Sequence, residues 1–195
     1  MIYFTSDTHF LHNSLTLAGN PNFSTKRPFK DVDDMNTTLI KNWNAKVKQN
    51  DEVYHLGDVC FGDQQKWEGI LNRLMGRIYL IIGNHDQKLL KTNCINRFEW
   101  VKDYYELKTQ NPLNNEKQFV VLSHYAHRVW NKSHKGAWML YGHSHGSLKD
   151  DPNALSIDVG VDAGHNFYPL SLKEVAQIMS KKTWKPVDHH GTNTP

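Results

Sequence analysis

Ile2-Tyr3-Phe4-Thr5-Ser6-Asp7-Thr8-His9 is the stretch whose reading decides the fold. A short apolar run, rich in β-branched and aromatic residues, stops at an acid and an imidazole. Such a run reads as a buried strand. The same arrangement returns four times further on. Val53-Tyr54-His55-Leu56 stops at Gly57-Asp58, and Ile78-Tyr79-Leu80-Ile81-Ile82 stops at Gly83-Asn84-His85-Asp86. Phe119-Val120-Val121-Leu122 stops at Ser123-His124, and Trp138-Met139-Leu140-Tyr141 stops at Gly142-His143-Ser144-His145. In open α/β sheets, ligands collect outside the carboxyl ends of the strands. The groups closing these runs are therefore expected on one rim: Asp7, His9, Asp58, Asn84, His124, His143 and His145. Together they form the oxygen and imidazole donor set of a dinuclear metal site.

Between the runs the periodicity changes. Met35, Leu39, Trp43 and Val47 recur every four residues behind Asp33, which reads as a helix N-cap. Trp67, Ile70, Leu71 and Leu74 predict a second helix over 64–74, and a short one is expected from Asp86 with Leu89 and Leu90. Residues 10–29 read as a long irregular stretch. Residues 98–109 and 117–123, on either side of a polar turn at 111–115, read as one β-hairpin. Strands are expected at 137–141 and 155–161, and a last helix at 171–180. Strand and helix alternate in the first half, and strands dominate the second. That pattern predicts an α/β fold, a two-sheet βαβ sandwich with helices on the outer faces. One domain over 1–180 is expected, then a loosely held polar tail over 181–195.

The 195-residue length suits a single sizeable core. Apolar and charged fractions of 38% and 22% are those of an ordinary globular protein, which excludes a disordered or membrane-embedded class. No apolar run approaches the ~20 residues of a spanning helix, and the first residues lack the basic-then-apolar order of a secretory leader. Cys60 and Cys94 show no framework spacing and read as free thiols in a reducing cytoplasm. A net charge of +3 is compatible with an anionic substrate, while no long basic run points to nucleic acid.

The donor set carries its own chemistry. Asp7 and His9 sit two apart and, on an extended strand end, would project to one side. Gly57 permits close backbone approach, and the two oxygens of Asp58 could bridge two ions. Asn84 offers an amide oxygen, and His124, His143 and His145 offer nitrogens. With no thiolate among them, the set suits two divalent transition-metal ions, manganese first, with iron, nickel, cobalt or zinc as alternatives. Two such ions carry four positive charges. Asp7 and Asp58 offset two, and a bridging hydroxide a third. The surplus favours an anionic substrate such as a phosphate ester. Paired ions roughly 3.5–4 Å apart also activate the bridging water and clamp an in-line displacement.

Asp-x-His, Gly-Asp, Gly-Asn-His-Asp, a lone His and Gly-His-x-His, in this order from Asp7 to His145, resemble the blocks of the calcineurin-like metallophosphoesterase superfamily. The resemblance implies that Asp7, His9, Asp58 and His145 bind one ion, and that Asp58, Asn84, His124 and His143 bind the other. It implies that His85 is the non-ligand histidine that protonates the leaving oxygen or steadies the transition state, and that Asp86 is the carboxylate orienting it. It also implies a βαβ sandwich of two mixed sheets. The sequence departs from the family pattern at Ser123-His124-Tyr125-Ala126, where many relatives carry a proline soon after the histidine. That leaves the path of the following loop open.

The expected activity is hydrolysis of a phosphate ester by a metal-bridging hydroxide. The chain has no obvious room for a large cap, so an open site and a phosphodiester, for example a nucleotide ester, are ranked first. A phosphomonoesterase of a small metabolite, a catalytically silent metal-binding scaffold and a nuclease are the alternatives. Lys26, Arg27, Lys30, Arg128 and Lys132 are the cations available for a nucleic-acid groove. Arg27 is also the expected phosphate contact, with His12 and Asn13 at the rim. His55 reads as packing, His127, Arg128 and His134 as loop residues beside the site, and His189-His190 as a solvated pair. His165 has no assigned role.

Overall fold

Tyr3 and Phe4 are neighbours in sequence yet lie in different hydrophobic clusters. Successive strand side chains point to opposite faces, so β1 (Ile2–Thr5) is buried on both. β2 (Glu52–His55) and β3 (Arg77–Ile81) repeat the pattern, with Val53 and Ile78 on one side and Tyr54 and Ile81 on the other. The structure, a computed structural model, describes residues 1–22 and 27–187. Lys26 and His189-His190 lie outside the described residues.

The first sheet has the order β4-β3-β2-β1-β9. Tyr3 lies beside Val53, Val53 beside Ile78 and Ile78 beside Phe98, so β1 to β4 (Phe98–Lys102) run parallel. β9 (Leu170–Ser171) adds an antiparallel edge to β1. Parallel strands need cover on both faces. One face is covered by α1 (Val32–Lys46) and α2 (Trp67–Leu71). Met35, Leu39 and Trp43 of α1 are almost fully buried there, each contributing about 1.5–3 kcal/mol relative to exposure. α1 starts two residues earlier than expected. Asp31 is the cap, accepting from the Asp34 amide at 3.0 Å, while Asp33 and Asp34 sit in the first turn and favour the helix dipole.

The second sheet has the order β5-β6-β7-β8, comprising β5 (Tyr104–Gln110), β6 (Lys117–Ser123), β7 (Trp138–Tyr141) and β8 (Ser156–Asp158). The stretch expected as one hairpin strand over 98–109 is two strands in different sheets. β4 pairs with β3, the chain turns at Asp103, and only β5 joins β6. Phe4, Tyr54, Leu122, Trp138 and Leu140 fill the space between the sheets. α3 (Leu172–Met179), started by a Ser171–Glu174 capping box, adds Val175, Ala176 and Met179 to that same space. The far face of the second sheet carries Val121, Met139 and Tyr141 against Trp130.

Two further expectations need adjusting. The helix expected from Asp86 is replaced by two 3₁₀ turns, Leu89–Lys91 and Asn93–Arg97. The first part of the expected loose tail is docked. The amides of Thr183 and Lys185 donate to Pro152 and Asn153, both at 2.8 Å, and the Trp184 indole N–H donates to the Ser133 carbonyl at 3.2 Å.

Candidate metal centre

The parallel ladder between β1 and β2 continues past the strands. The amides of Asp7, His9 and Phe10 donate to Gly57, Asp58 and Val59 at 3.0, 3.0 and 2.9 Å. The two loops are therefore tied together while turning sharply. Asp7, His9, Asp58, His143 and His145 have φ of 55°, 46°, 59°, 66° and 49°. Left-handed backbone at a non-glycine residue costs of order 1–3 kcal/mol and persists where the surroundings impose it. Asp7 and His9 are thus not on an extended strand end, as their spacing suggested. The left-handed turns, rather than strand alternation, set their directions. Glycine permits the close approach at Gly57 (φ 98°), where a Cβ would stand 2.6 Å from both the Gly83 amide nitrogen and His124 Nδ1. The two sheets meet here too: Val161 donates to the Ser6 carbonyl, and the His143 amide donates to Asp7 Oδ2 at 2.9 Å.

The expected donors come together in two groups, Asp7, His9 and His145, and Asp58, His124 and His143. Asp58 lies between them. Its Oδ2 is 3.6 Å from His9 Nε2 and 3.6 Å from His124 Nε2, while Oδ1 accepts the His85 amide at 2.9 Å. In the first group, Asp7 Oδ1 is 3.8 Å from His9 Nε2 and 3.9 Å from His145 Nε2. Among the described residues, Asp7 Oδ1 and His9 Nε2 are buried with no hydrogen-bond partner. Leaving such atoms unsatisfied costs about 1–3 kcal/mol apiece, which a cation between them would relieve. In the second group, His124 Nδ1–H donates to the Leu56 carbonyl at 2.7 Å, which leaves Nε2 as a lone pair. That lone pair and His143 Nδ1 each stand 3.0 Å from Asn84 Oδ1. Ligands about 2.1 Å from one ion and at right angles are about 3.0 Å apart. The residues therefore fit two cations, with Asn84 in the second group.

The electrostatics agree. Burial holds His9 well below the ordinary imidazole value, with Arg27 adding to the effect, and burial lowers His124 too. Both are neutral, as ligands must be. Burial pushes Asp7 up to about 7. Burial pulls His145 down, but the Asp162 carboxylate, accepting from its Nδ1 at 2.9 Å, leaves it raised overall. A carboxylate or imidazole raised above its unfolded value stabilises the fold when protonated, and that contribution fades as pH rises toward the folded value. Metal binding must displace the same protons. The metal-induced gain in Tm is therefore expected to be larger at pH 8 than at pH 5.5. Thermal unfolding with and without manganese checks this, and an equal gain at both values would contradict it.

Several expected roles change. Arg27 is 1% exposed and is not a phosphate contact. Its guanidinium donates to Asp162 Oδ2 at 2.9 Å and to the carbonyls of Thr8 and Asp7 at 2.8 and 2.5 Å. Asp86 does not orient His85. Its carboxylate accepts the amides of Asp58, Val59 and Gly83 at 2.8, 2.9 and 2.8 Å, so it holds the turns that present Asp58. His85 itself stands exposed at the rim, with its ring 5.5 Å from that of His9 and 5.3 Å from Phe61. His12 is at the rim as expected, stacked on Phe61 at 3.9 Å. Asn13 is exposed beside it, its carbonyl accepting from the Thr16 amide and hydroxyl and its side-chain oxygen accepting from the same hydroxyl at 3.4 Å. His55 is buried, lowered by burial to about 3, and its ring bridges the Thr8 hydroxyl and the Gly57 amide. Of the groove cations, Lys30 stands 4.0 Å from Asp31, and Lys132 lies 3.4 Å over the Phe119 ring.

Three residues escaped the sequence reading. Phe61 walls the site beside His12 and His85. Tyr125 places its hydroxyl 3.5 Å from Asn84 Oδ1 and its ring 4.7 Å from His143. Asp162 holds His145, an arrangement that fixes the tautomer of a ligating imidazole. A signal existed for Asp162, since the alternating strand expected at 155–161 closes on it much as the apolar runs close on their ligands.

A family model described as calcineurin-like phosphoesterase matches residues 1–194. The chain belongs to that family. The chain is similar to the uncharacterised protein MJ1445 of Methanocaldococcus jannaschii, 33% identical over 187 residues and covering 92% of each chain. It is 28% identical to the Gene 66 protein of Mycobacterium phage D29, over 92% of this chain and 96% of that one. Its fold matches the crystal structure of AQ665, a protein of unknown function from Aquifex aeolicus. That match has a TM-score of 0.61 and 22% identity, and covers 91% of this chain and 98% of that one. Among the described residues, no helix is long and apolar enough to cross a membrane.

Proposed function

We propose that this protein hydrolyses small phosphate esters at a pair of divalent transition-metal ions, manganese first, with phosphodiesters ranked above monoesters. The observation that carries the reading is Asp58 Oδ2, 3.6 Å from one histidine of each group. Bound divalent ions lower the pKa of water and offset the charge of a phosphoryl group. The chain's residues supply the rest. Asp7 and Asp58 balance only part of the charge that two divalent ions bring, and the surplus draws an anionic ester. His145 is held by Asp162, and His124 by the Leu56 carbonyl, so neither imidazole needs to reorient. An imidazole N–H of His85 supplies the proton to the departing alcohol. Its main-chain amide is fixed to Asp58 Oδ1, and its ring is flanked by Phe61. Asn84, His85, Tyr125 and His143 are exposed, which suits an ester with two substituents. Cys60 and Cys94 are free thiols, in keeping with a cytoplasmic location.

Manganese-loaded protein assayed on bis-p-nitrophenyl phosphate and p-nitrophenyl phosphate tests the proposal. Faster diester turnover is expected. A monoester preference reverses the ranking, and bound metal with no turnover of either ester leaves a scaffold. His85→Ala should keep full metal content while kcat falls about a hundredfold. Metal loss in that variant would remove His85 from the proton-donor role.

A further inference from the structure

A cavity of about 380 Å³ lies on the outer side of the second sheet, within the range that holds small organic ligands. Its walls come from the loop after His124, the loop after His145, and the docked residues 184–187. Trp130, Tyr141 and Trp184 give it aromatic faces, and Arg128, Lys149 and Lys185 give it cations. The indole N–H groups of Trp130 and Trp184 donate to the Ala137 and Ser133 carbonyls at 2.9 and 3.2 Å, so both rings are anchored by one turn. Among the described residues, Arg128, Lys149 and Lys185 make no ion pair. Leu148, Trp184 and Val187 are 48%, 41% and 66% exposed, so large apolar side chains collect at this one place. Apolar side chains exposed together along a cavity suit a ligand with an apolar face. Asp151 is the acid of the lining, outnumbered by the cations.

We propose that this cavity binds a nucleotide unit, its planar base against the indole rings and its phosphate on Arg128, Lys149 and Lys185. Aromatic faces stack with any base, and a neighbouring guanidinium or ammonium answers the phosphate. A purely apolar ligand would use none of the three cations, and a bare anion would use neither indole. The inference goes beyond the reading of the metal centre, because the site uses none of the metal-donor side chains.

Calorimetric titration of the metal-free, full-length protein with AMP, adenosine and ribose 5-phosphate is the test. AMP should bind, with adenosine and ribose 5-phosphate each at least tenfold weaker. Trp184→Ala should weaken AMP binding about tenfold through lost stacking. Because that change could also loosen the docked segment, Arg128→Ala/Lys149→Ala, in exposed loops, provides the second variant and should weaken AMP by a similar factor. Ribose 5-phosphate binding as tightly as AMP, affinity unchanged in both variants, or no AMP binding at millimolar concentration would each overturn the proposal. Failure of the hydrolase reading shows separately, as absent ester turnover by metal-loaded wild-type protein.

Discussion

Asp58→Asn is expected to leave the protein folded but unable to hold its pair of metal ions. The change keeps the shape of the side chain, keeps an acceptor for the His85 amide, and suits a left-handed backbone, since φ at Asp58 is 59° and asparagine tolerates that region. It removes the negative charge from the one oxygen that faces both histidine groups. Asp58 is 2% exposed, and Asp7, 0% exposed, lies in the same centre. Removing one of two buried like charges should leave the metal-free Tm unchanged or raise it. The metal-induced gain should disappear. A ligand at a hundred times its Kd stabilises by about 2.7 kcal/mol, or about 5–10 °C for a domain of this size. Elemental analysis should find at least one of the two ions missing, with turnover of both test esters at background. A variant retaining both ions at wild-type affinity would sink the bridging role and the reading built on it.

The same substitution separates fold from function. The centre concentrates features that cost stability: five left-handed donors, two buried carboxylates and buried nitrogens without partners. They persist because the ladders of two sheets, the Asp86 clamp and the Arg27 clamp over-determine the loops. Bound cations would turn several of these costs into favourable interactions. On the proposed function, metal binding and folding are thermodynamically linked, and the metal-free protein is expected to be the less stable form at every pH where the donors are deprotonated.

How much of this was legible in the sequence depends on the range of the interactions. The rim was legible because each donor directly follows an apolar run, and parallel strands deliver their carboxyl ends to one edge. The sheet assignment of 98–102 was not, because β4 and β5 are continuous in sequence. Only the packing of Phe98 against one cluster and Leu107 against another separates them. β9 is two residues long, too short for any periodicity. Asp86 adjoins His85 in sequence, yet its carboxylate turns away to three amides that lie in two loops. Trp184 looked like part of a polar tail because its partner, Ser133, is 51 residues away. In each case a distant contact, rather than the local pattern, decided the outcome.

Arg27 is the sharpest case, and Arg27→Met tests it. As a loop arginine it suggested a phosphate contact, and on that reading the substitution would raise KM and leave stability alone. The structure points the other way. The guanidinium is buried, and its donors serve Asp162, 135 residues distant, and the carbonyls of the left-handed turn carrying Asp7 and His9. Methionine would fill much of the space but leave Asp162, 11% exposed, without its guanidinium, and would free two main-chain carbonyls. Breaking a buried pair by removing one partner costs roughly 3–5 kcal/mol, against a total stability of about 5–15 kcal/mol. A fall in Tm of about 10 °C or more is expected. Metal affinity should weaken as well, since Asp162 also fixes His145. Arg27→Lys should recover only part of the loss, because an ammonium has no planar fork to meet three acceptors at once. Combining Arg27→Met with Asp162→Asn should cost less than the sum of the two single changes, because the pair is then removed together. Thermal unfolding of the four proteins of this cycle, alongside ester kinetics, decides between the two readings. An unchanged Tm with a raised KM would return Arg27 to the substrate.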